Sequence, residues 1–220
     1  MAMDTVNRSI IITAAARFGA DLAADGKALK QALHRQSGLD ARRLSGLSLT
    51  AALGCLQLRQ TAGPVGDCAV YAAAPFASPP LFDKMADNVL NCGTAMPLDF
   101  IANLHNAPAF YAAQVLGSRG ASLLLAADNR PESWPQILYL AAGSLPAEGR
   151  IAVGWCYEPP AGGGRSDSIW LLLEEAATAG QPGFSAACGC PAAVPDTGGY
   201  WQGVADWLHG LPSAVPRPSR

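Results

Sequence analysis

Residues 121–127, Ala-Ser-Leu-Leu-Leu-Ala-Ala, form a short apolar run with turn residues on both sides, Gly120 before it and Asp128 after. A strand this apolar, without polar alternation, is expected to be covered on both faces, as in a layered α/β protein. The rest of the chain fits that frame. Residues 9–15 (Ser-Ile-Ile-Ile-Thr-Ala-Ala) are a β-branched first strand, and 68–74, ending at Pro75, are a second. Between them, 25–36 read as an amphipathic helix and 44–58 as a helix apolar on most faces, and so buried. Residues 81–90 form a helix with Leu81, Met85 and Val89 on one side, and 97–116 a long small-residue helix disturbed in pattern by Pro108. Ser133-Trp-Pro-Gln136 reads as a helix start, with Ser133 capping, Pro135 in the first turn and Gln136 at the reciprocal position. That helix is expected to stop at Gly143. Residues 150–157 and 169–176 are hairpin strands around a Gly-rich turn at 159–168.

The 220 residues suffice for one buried core, half of them are hydrophobic, and the net charge is −2. This balance gives no electrostatic case for nucleic acid or an anionic membrane. No apolar run approaches the ~18 residues of a membrane span. The start lacks a basic segment followed by a long apolar one, so no secretory leader is expected and a cytoplasmic location is. Cys55, Cys68 and Cys156 sit in apolar stretches and read as core residues. Cys188-Gly-Cys190 lacks the spacing and second pair of a zinc site, so free thiols in a tail loop are expected and no metal. A domain over 1–180 is followed by a Pro/Gly/Ala-rich tail, 181–220, with one short helix at 200–208 and a frayed end from 212.

The segment 103–129 is the most specific. It reads Leu104-His105-Asn106-Ala107-Pro108, then Gly117-Ser118-Arg119-Gly120, then the apolar strand. It resembles the stretch of β-ketoacyl synthases in which a small-residue helix ends at Gly-x-Arg-Gly and a buried strand leads to the nucleophilic cysteine. Residues 151–160, Ile-Ala-Val-Gly-Trp-Cys-Tyr-Glu-Pro-Pro, are similar to a strand and Tyr-Asp-Glu-Pro ending in short ketosynthase-like proteins of aryl polyene and pigment clusters. Those are called ketosynthase-like chain-length factors. The resemblance covers most of 9–176 and implies a thiolase-like layered α/β fold, a single N-terminal-type half with a mixed five-stranded sheet.

By the same resemblance the nucleophile position falls on Asn129, or on Asp128 if the register slips by one. Neither supplies a thiolate, the species that attacks an acyl thioester. Hydrogen bonding to turn N–H groups is the structural role expected of them. The catalytic histidines of ketosynthases belong to a second half that has no counterpart here. His209 lies in the tail and does not replace them, and His34 sits solvated on a polar helix. No independent activity and no cofactor are expected.

The resemblance further implies association. The strand corresponding to 121–127 pairs across the dimer axis in the family, and nearby bulky residues shape an acyl tunnel. His105, Asn106, Phe110, Tyr111, Gln114 and Leu138 are the candidates for tunnel or interface. His105 is expected buried against a carbonyl, with an interface contact as the alternative. Arg119 is expected to bond carbonyls at the helix end. The implied partner is a full-length ketosynthase, in a heterodimer, or a second copy. An acidic acyl carrier protein is a further partner, which the basic residues Arg35, Arg42 and Arg43 would meet. Two other functions stay open. One is a stand-alone decarboxylase or hydrolase of acyl thioesters using Asp128 or His105; the other is a homodimeric acyl-chain-binding protein.

Overall fold

The computed structural model describes residues 9–75, 77–127, 133–145, 149–161, 164–175 and 215–216. The chain runs β1 (Ser9–Ala20), α1 (Leu22–Ser37), α2 (Gly46–Ala62), β2 (Ala69–Ala74), α3 (Pro79–Cys92), α4 (Pro97–Ala102) and α5 (Ala107–Leu116). It continues through β3 (Ser122–Ala126), α6 (Trp134–Ser144), β4 (Arg150–Tyr157), β5 (Ser166–Glu175) and the two-residue β6 (Val215–Pro216). The five expected strands carry the sheet, and β6, within the segment expected to fray, adds a short pairing on β1. Strand order is β3-β2-β4-β5-β1-β6. β3, β2 and β4 are mutually parallel, whereas β5 runs antiparallel to both β4 and β1, so the sheet is mixed.

Side-chain parity divides the core into two layers. Val70, Ala72, Leu124, Ala152, Cys156, Trp170 and Leu172 face the layer formed by α1, α2 and α5. Ile151, Val153, Trp155, Ile169, Leu171 and Leu173 face the other layer, with Ile137, Leu138 and Ala141 of α6. On β1, Ile12 pairs with Leu173 and Ala14 with Leu172, because the register shifts between them. The extra residue, Thr13, lets two side chains of the same parity enter opposite layers. Thr13 Oγ1 lies 3.2 Å from Glu174 Oε1.

α2 is the central helix, with every residue from Leu47 to Leu56 buried. Its sequence explains the depth: Ala51, Ala52, Gly54 and Cys55 are small, and Leu residues fill the remaining faces. Gly54 sits against the Trp170 indole and the Ser168 hydroxyl, so a Cβ there would collide with both. Ser168 Oγ donates to the Thr50 carbonyl at 2.9 Å, holding β5 to α2. The caps follow ordinary chemistry. Asp21 accepts from the N–H groups of Ala23 and Ala24 on α1, Ser45 accepts from the Ser48 N–H on α2, and Gly38 closes α1 at φ 74°.

Three expectations are corrected. The long helix over 97–116 is two helices, because residues 103–106 break it and Pro108 starts α5 instead of interrupting one continuous helix. Proline lacks an N–H, which the first helical turn does not need. Ser133 occupies the N-cap of α6 without a side-chain capping bond, and the helix runs on to Ser144. β3 is only partly covered: Leu124 is buried and Leu125 half-buried against the second core layer, while Leu123 and Ala126 are exposed. As the outermost parallel strand it has a helix layer on one side and less than a full layer on the other.

Candidate functional site

The site begins where α5 hands the chain to β3. Gly117 adopts φ 72°, and the Ser118 N–H reaches back to the Ala113 carbonyl at 3.0 Å, closing α5 with a Schellman-type turn. The Ser118 hydroxyl donates to the Cys68 carbonyl and accepts from the Gly120 N–H at 3.1 Å. The Arg119 N–H donates to Asp67 Oδ1 at 3.1 Å. Gly120 presses its bare α-carbon on the Cys68 and Ala69 backbone, and the Val70 N–H bonds to the Ala121 carbonyl at 2.8 Å. Gly-Ser-Arg-Gly is therefore a joint that locks α5 to the start of β2 and sets the register of β3. The carbonyl contact expected of Arg119 is made by Ser118.

At its other end α5 touches β3 through Asn106, whose Nδ2 lies 3.4 Å from both the Ser122 carbonyl and hydroxyl. Asn103 Oδ1 accepts from the Ser78 N–H at 3.0 Å, and Lys84 pairs with Asp99 at 2.7 Å, so α3 and α4 are fixed to each other. Asn106, Phe110 and Gln114 recur at four-residue spacing and share one exposed stripe of α5. Tyr111, half-buried, meets the Phe110 ring edge-on, centroids 5.3 Å apart, and packs on the α2 layer.

Two placements differ from expectation. His105 is exposed at the break before α5 and is not a core residue. Leu138 is buried on α6, across the sheet from Phe110 and Tyr111, so these residues do not line one tunnel within the subunit. Asp128, Asn129, Cys188, Cys190, His209 and the helix at 200–208 lie outside the described residues. Cys55, Cys68 and Cys156 are core residues as expected, and burial pushes all three thiols up, Cys55 and Cys156 the furthest. His34 is exposed, with Nδ1 3.0 Å from the Leu39 carbonyl.

β3 ends the sheet, and its outer edge meets no other strand among the described residues. The exposed large apolar side chains of the described residues all fall between Phe82 and Leu140. They include Leu123 on β3, Phe110 on α5, and Tyr139 and Leu140 on α6. α3 and α4 contribute the most, with no buried residue in either and Leu90 80% exposed. The unpaired β3 edge, with Leu123 exposed on it, has the character of an association surface.

A second constellation escaped the sequence reading. Glu158, in the Tyr-Glu-Pro-Pro segment, is 7% exposed, and its Oε2 has no hydrogen-bond partner among the described residues. It sits at the first turn of α2, against Gly46. Burial raises its carboxyl above the ordinary range, while Ser78, the Leu47 N–H and the nearby Lys30 pull it back down. Lys30 is lowered by its own burial, and its Nζ donates to the Leu44 carbonyl at 2.8 Å and to the Arg42 carbonyl at 3.3 Å. The signal in the sequence is an acidic residue directly after a strand that is apolar from Ile151 onward. Arg35, Arg42 and Arg43 are exposed, and Arg42 is held by Asp40 through a bidentate pair.

No protein-family model matches the chain, and no curated protein matches it in sequence. Solved structures match in fold. A chain in a complex of a ketosynthase (ApeO) with its chain length factor (ApeC) from Xenorhabdus doucetiae superposes with a TM-score of 0.55 at 17% identity, over 92% of this chain and 92% of that one. The ishigamide ketosynthase/chain length factor gives 0.53 at 14% identity, over 79% of this chain and 64% of the other. AntDE:AntF, a type II polyketide synthase acyl-carrier protein in complex with its ketosynthase, gives 0.52 at 13%, over 76% and 62%. The chain thus has the thiolase-like fold of ketosynthases and chain length factors. It spans less than two thirds of the latter two matched chains and nearly all of the first. No helix among the described residues is long and apolar enough to cross a membrane.

Proposed function

We propose that this chain is a non-catalytic ketosynthase-like subunit of the chain-length-factor kind. It would pair with a full-length ketosynthase in the synthesis of a polyketide, fatty acyl or aryl polyene chain. The observation that carries the reading is the open edge of β3 with the exposed Leu123 on it, in a fold matched over 92% of both chains by one chain of a ketosynthase and chain length factor complex. Asp128 and Asn129 stand where the resemblance puts the nucleophile, and the sequence holds no cysteine between Cys92 and Cys156. A carboxylate or amide there does not supply the thiolate that condensation needs.

The role would be steric and organisational. Antiparallel pairing of β3 with the partner's matching strand would satisfy its outer N–H and C=O groups and bury Leu123. The exposed stripe of Phe110 and Gln114 would then face the partner, where its bulk limits how far an acyl chain extends. Leu138, buried on the other face of the sheet, belongs to the core of the subunit. Arg35 and Arg43 remain available to an acidic acyl carrier protein.

Co-expression with a ketosynthase from the same gene neighbourhood, followed by size exclusion and mass analysis, tests the reading. A stable one-to-one complex is expected. A homodimer that ignores the synthase would overturn it and favour an acyl-chain-binding protein, for which the same β3 edge pairs with itself.

A further inference from the structure

Neither α3 nor α4 contains a buried residue, so packing within the subunit does not account for their apolar content. Leu81, Phe82, Met85, Ala86, Val89 and Leu90 occupy one side of α3 at the spacing of an amphipathic helix, and Asp83, Lys84, Asp87 and Asn91 the other. Leu81, Met85 and Ala86 are half-buried, whereas Phe82, Val89 and Leu90 are exposed. On α4, Leu98, Phe100 and Ile101 join them, and all six exposed side chains are at least 50% uncovered. Taking ~150–200 Å² for each side chain when fully exposed, the six present on the order of 600 Å² of apolar surface. That is at the upper end of what an ordinary monomer shows in one patch.

Three features say what covers this face. The first is area. A stable interface takes about 800 Å² from each partner. Leu123 and Phe110 uncover only on the order of 150 Å² of apolar surface at the same rate, and the helix pair brings the total close to that size. The second is continuity: Leu104, exposed, follows α4, and two residues on Asn106 lies against Ser122 at the start of β3. The third is charge. Asp83 and Asp87 are exposed on the polar margin of α3, while Lys84 is engaged by Asp99. Two copies of this face would set acid against acid, whereas a different chain with basic residues around an apolar face would complement it. An amphipathic helix that lies on lipid carries Lys and Arg at that margin instead.

We propose that the exposed face of α3 and α4 is a second contact with the ketosynthase subunit, seated on an apolar surface of that protein rimmed by lysine or arginine. The inference rests on the partnership proposed above and divides its labour. The β3 edge sets the strand pairing, and the helix pair supplies most of the apolar area that the complex buries.

Analytical ultracentrifugation of the full chain with a ketosynthase from the same gene neighbourhood, at low and high salt, tests it. Phe82→Gln combined with Leu90→Gln is expected to weaken the complex by about tenfold or more. Asp83→Lys combined with Asp87→Lys should weaken it at low salt and flatten its salt dependence. Melting of the lone variants should match wild type, because α3 holds no buried residue. A wild-type complex indifferent to the apolar pair of substitutions overturns the proposal and leaves the partnership standing. Absence of any wild-type complex overturns the partnership, and the proposal with it. Self-association of the lone chain, or its sedimentation with phosphatidylcholine vesicles, that the apolar pair abolishes would assign the face to a second copy or to lipid and overturn the proposal as well.

Discussion

The carboxyl of Glu158 fills the space that a Cβ on Gly46 would need, so the end of β4 and the first turn of α2 interlock through a missing side chain. Gly46→Ala should displace Glu158 from the helix end and destabilise the protein by about 1–3 kcal/mol, the usual cost of overpacking. A urea midpoint unchanged in Gly46→Ala would show that the interlock is not tight.

The contribution of two buried acids to stability should fall as pH rises from the acid side. Glu158 and Asp167 both have carboxyls raised by burial, from ordinary values of 4.5 and 3.8. In the window above those values and below the folded ones, the folded chain holds more protons than the unfolded chain, so stability decreases with pH. Glu158→Gln removes one of these contributions. Its midpoint should vary less than wild type as pH rises from 4.5. A parallel pH dependence in the two proteins would refute the buried-acid account.

The strand runs and α2 were legible in sequence because burial on most sides leaves a plain apolar signature. The break at 103–106 was not, because Pro108 fits a helix start as well as a kink, and only Asn103 and Asn106, bonding to Ser78 and Ser122, decide between them. The Thr13 bulge leaves no mark in composition, yet it reassigns Ile12 and Ala14 to opposite layers. Leu138 and Phe110 looked like co-lining residues because sequence gives apolarity without saying which side of a sheet each helix covers. Glu158 reads in sequence as part of a strand ending, since local sequence does not reveal that α1, α2 and Ser78 close over it.

Arg59 joins three helix ends. Its Nη1 donates to the Val115 carbonyl at 2.6 Å and its Nη2 to the Gln36 carbonyl at 3.1 Å, at the C-terminal ends of α5 and α1. Those carbonyls lack partners within their own helices and favour a cation. Arg59→Met should cost about 1–3 kcal/mol, and Arg59→Lys should recover part of that by reaching one carbonyl. Equal losses in the two variants would mean that the hydrogen bonds are not what the site contributes.

The indole of Trp170 covers the bare backbone of Gly154 on the neighbouring strand. Gly154→Ala should force the ring off this seat and also disturb Gly54 on α2, which packs on the same indole. A loss of about 1–3 kcal/mol in chemical denaturation is expected. A blue shift or loss of tryptophan near-ultraviolet dichroism should accompany it. Unchanged dichroism with unchanged stability would contradict the packing described.

The β3 edge yields the prediction that separates association from folding. Leu123 is 36% exposed on an edge strand, so Leu123→Lys removes little from the core and its cost in the isolated chain should stay within about 1 kcal/mol. In a complex whose strands pair across that edge, the same lysine would have to be buried without a partner, and affinity should drop by about tenfold or more. Phe110→Ser on the adjoining stripe should weaken association less, because that side chain lies beside the edge and not on it. Thermal melting of the lone chain and analytical ultracentrifugation of the complex read the two effects independently. Melting that collapses along with association would place Leu123 in the fold's own core, whereas association untouched by the lysine would remove β3 from the interface.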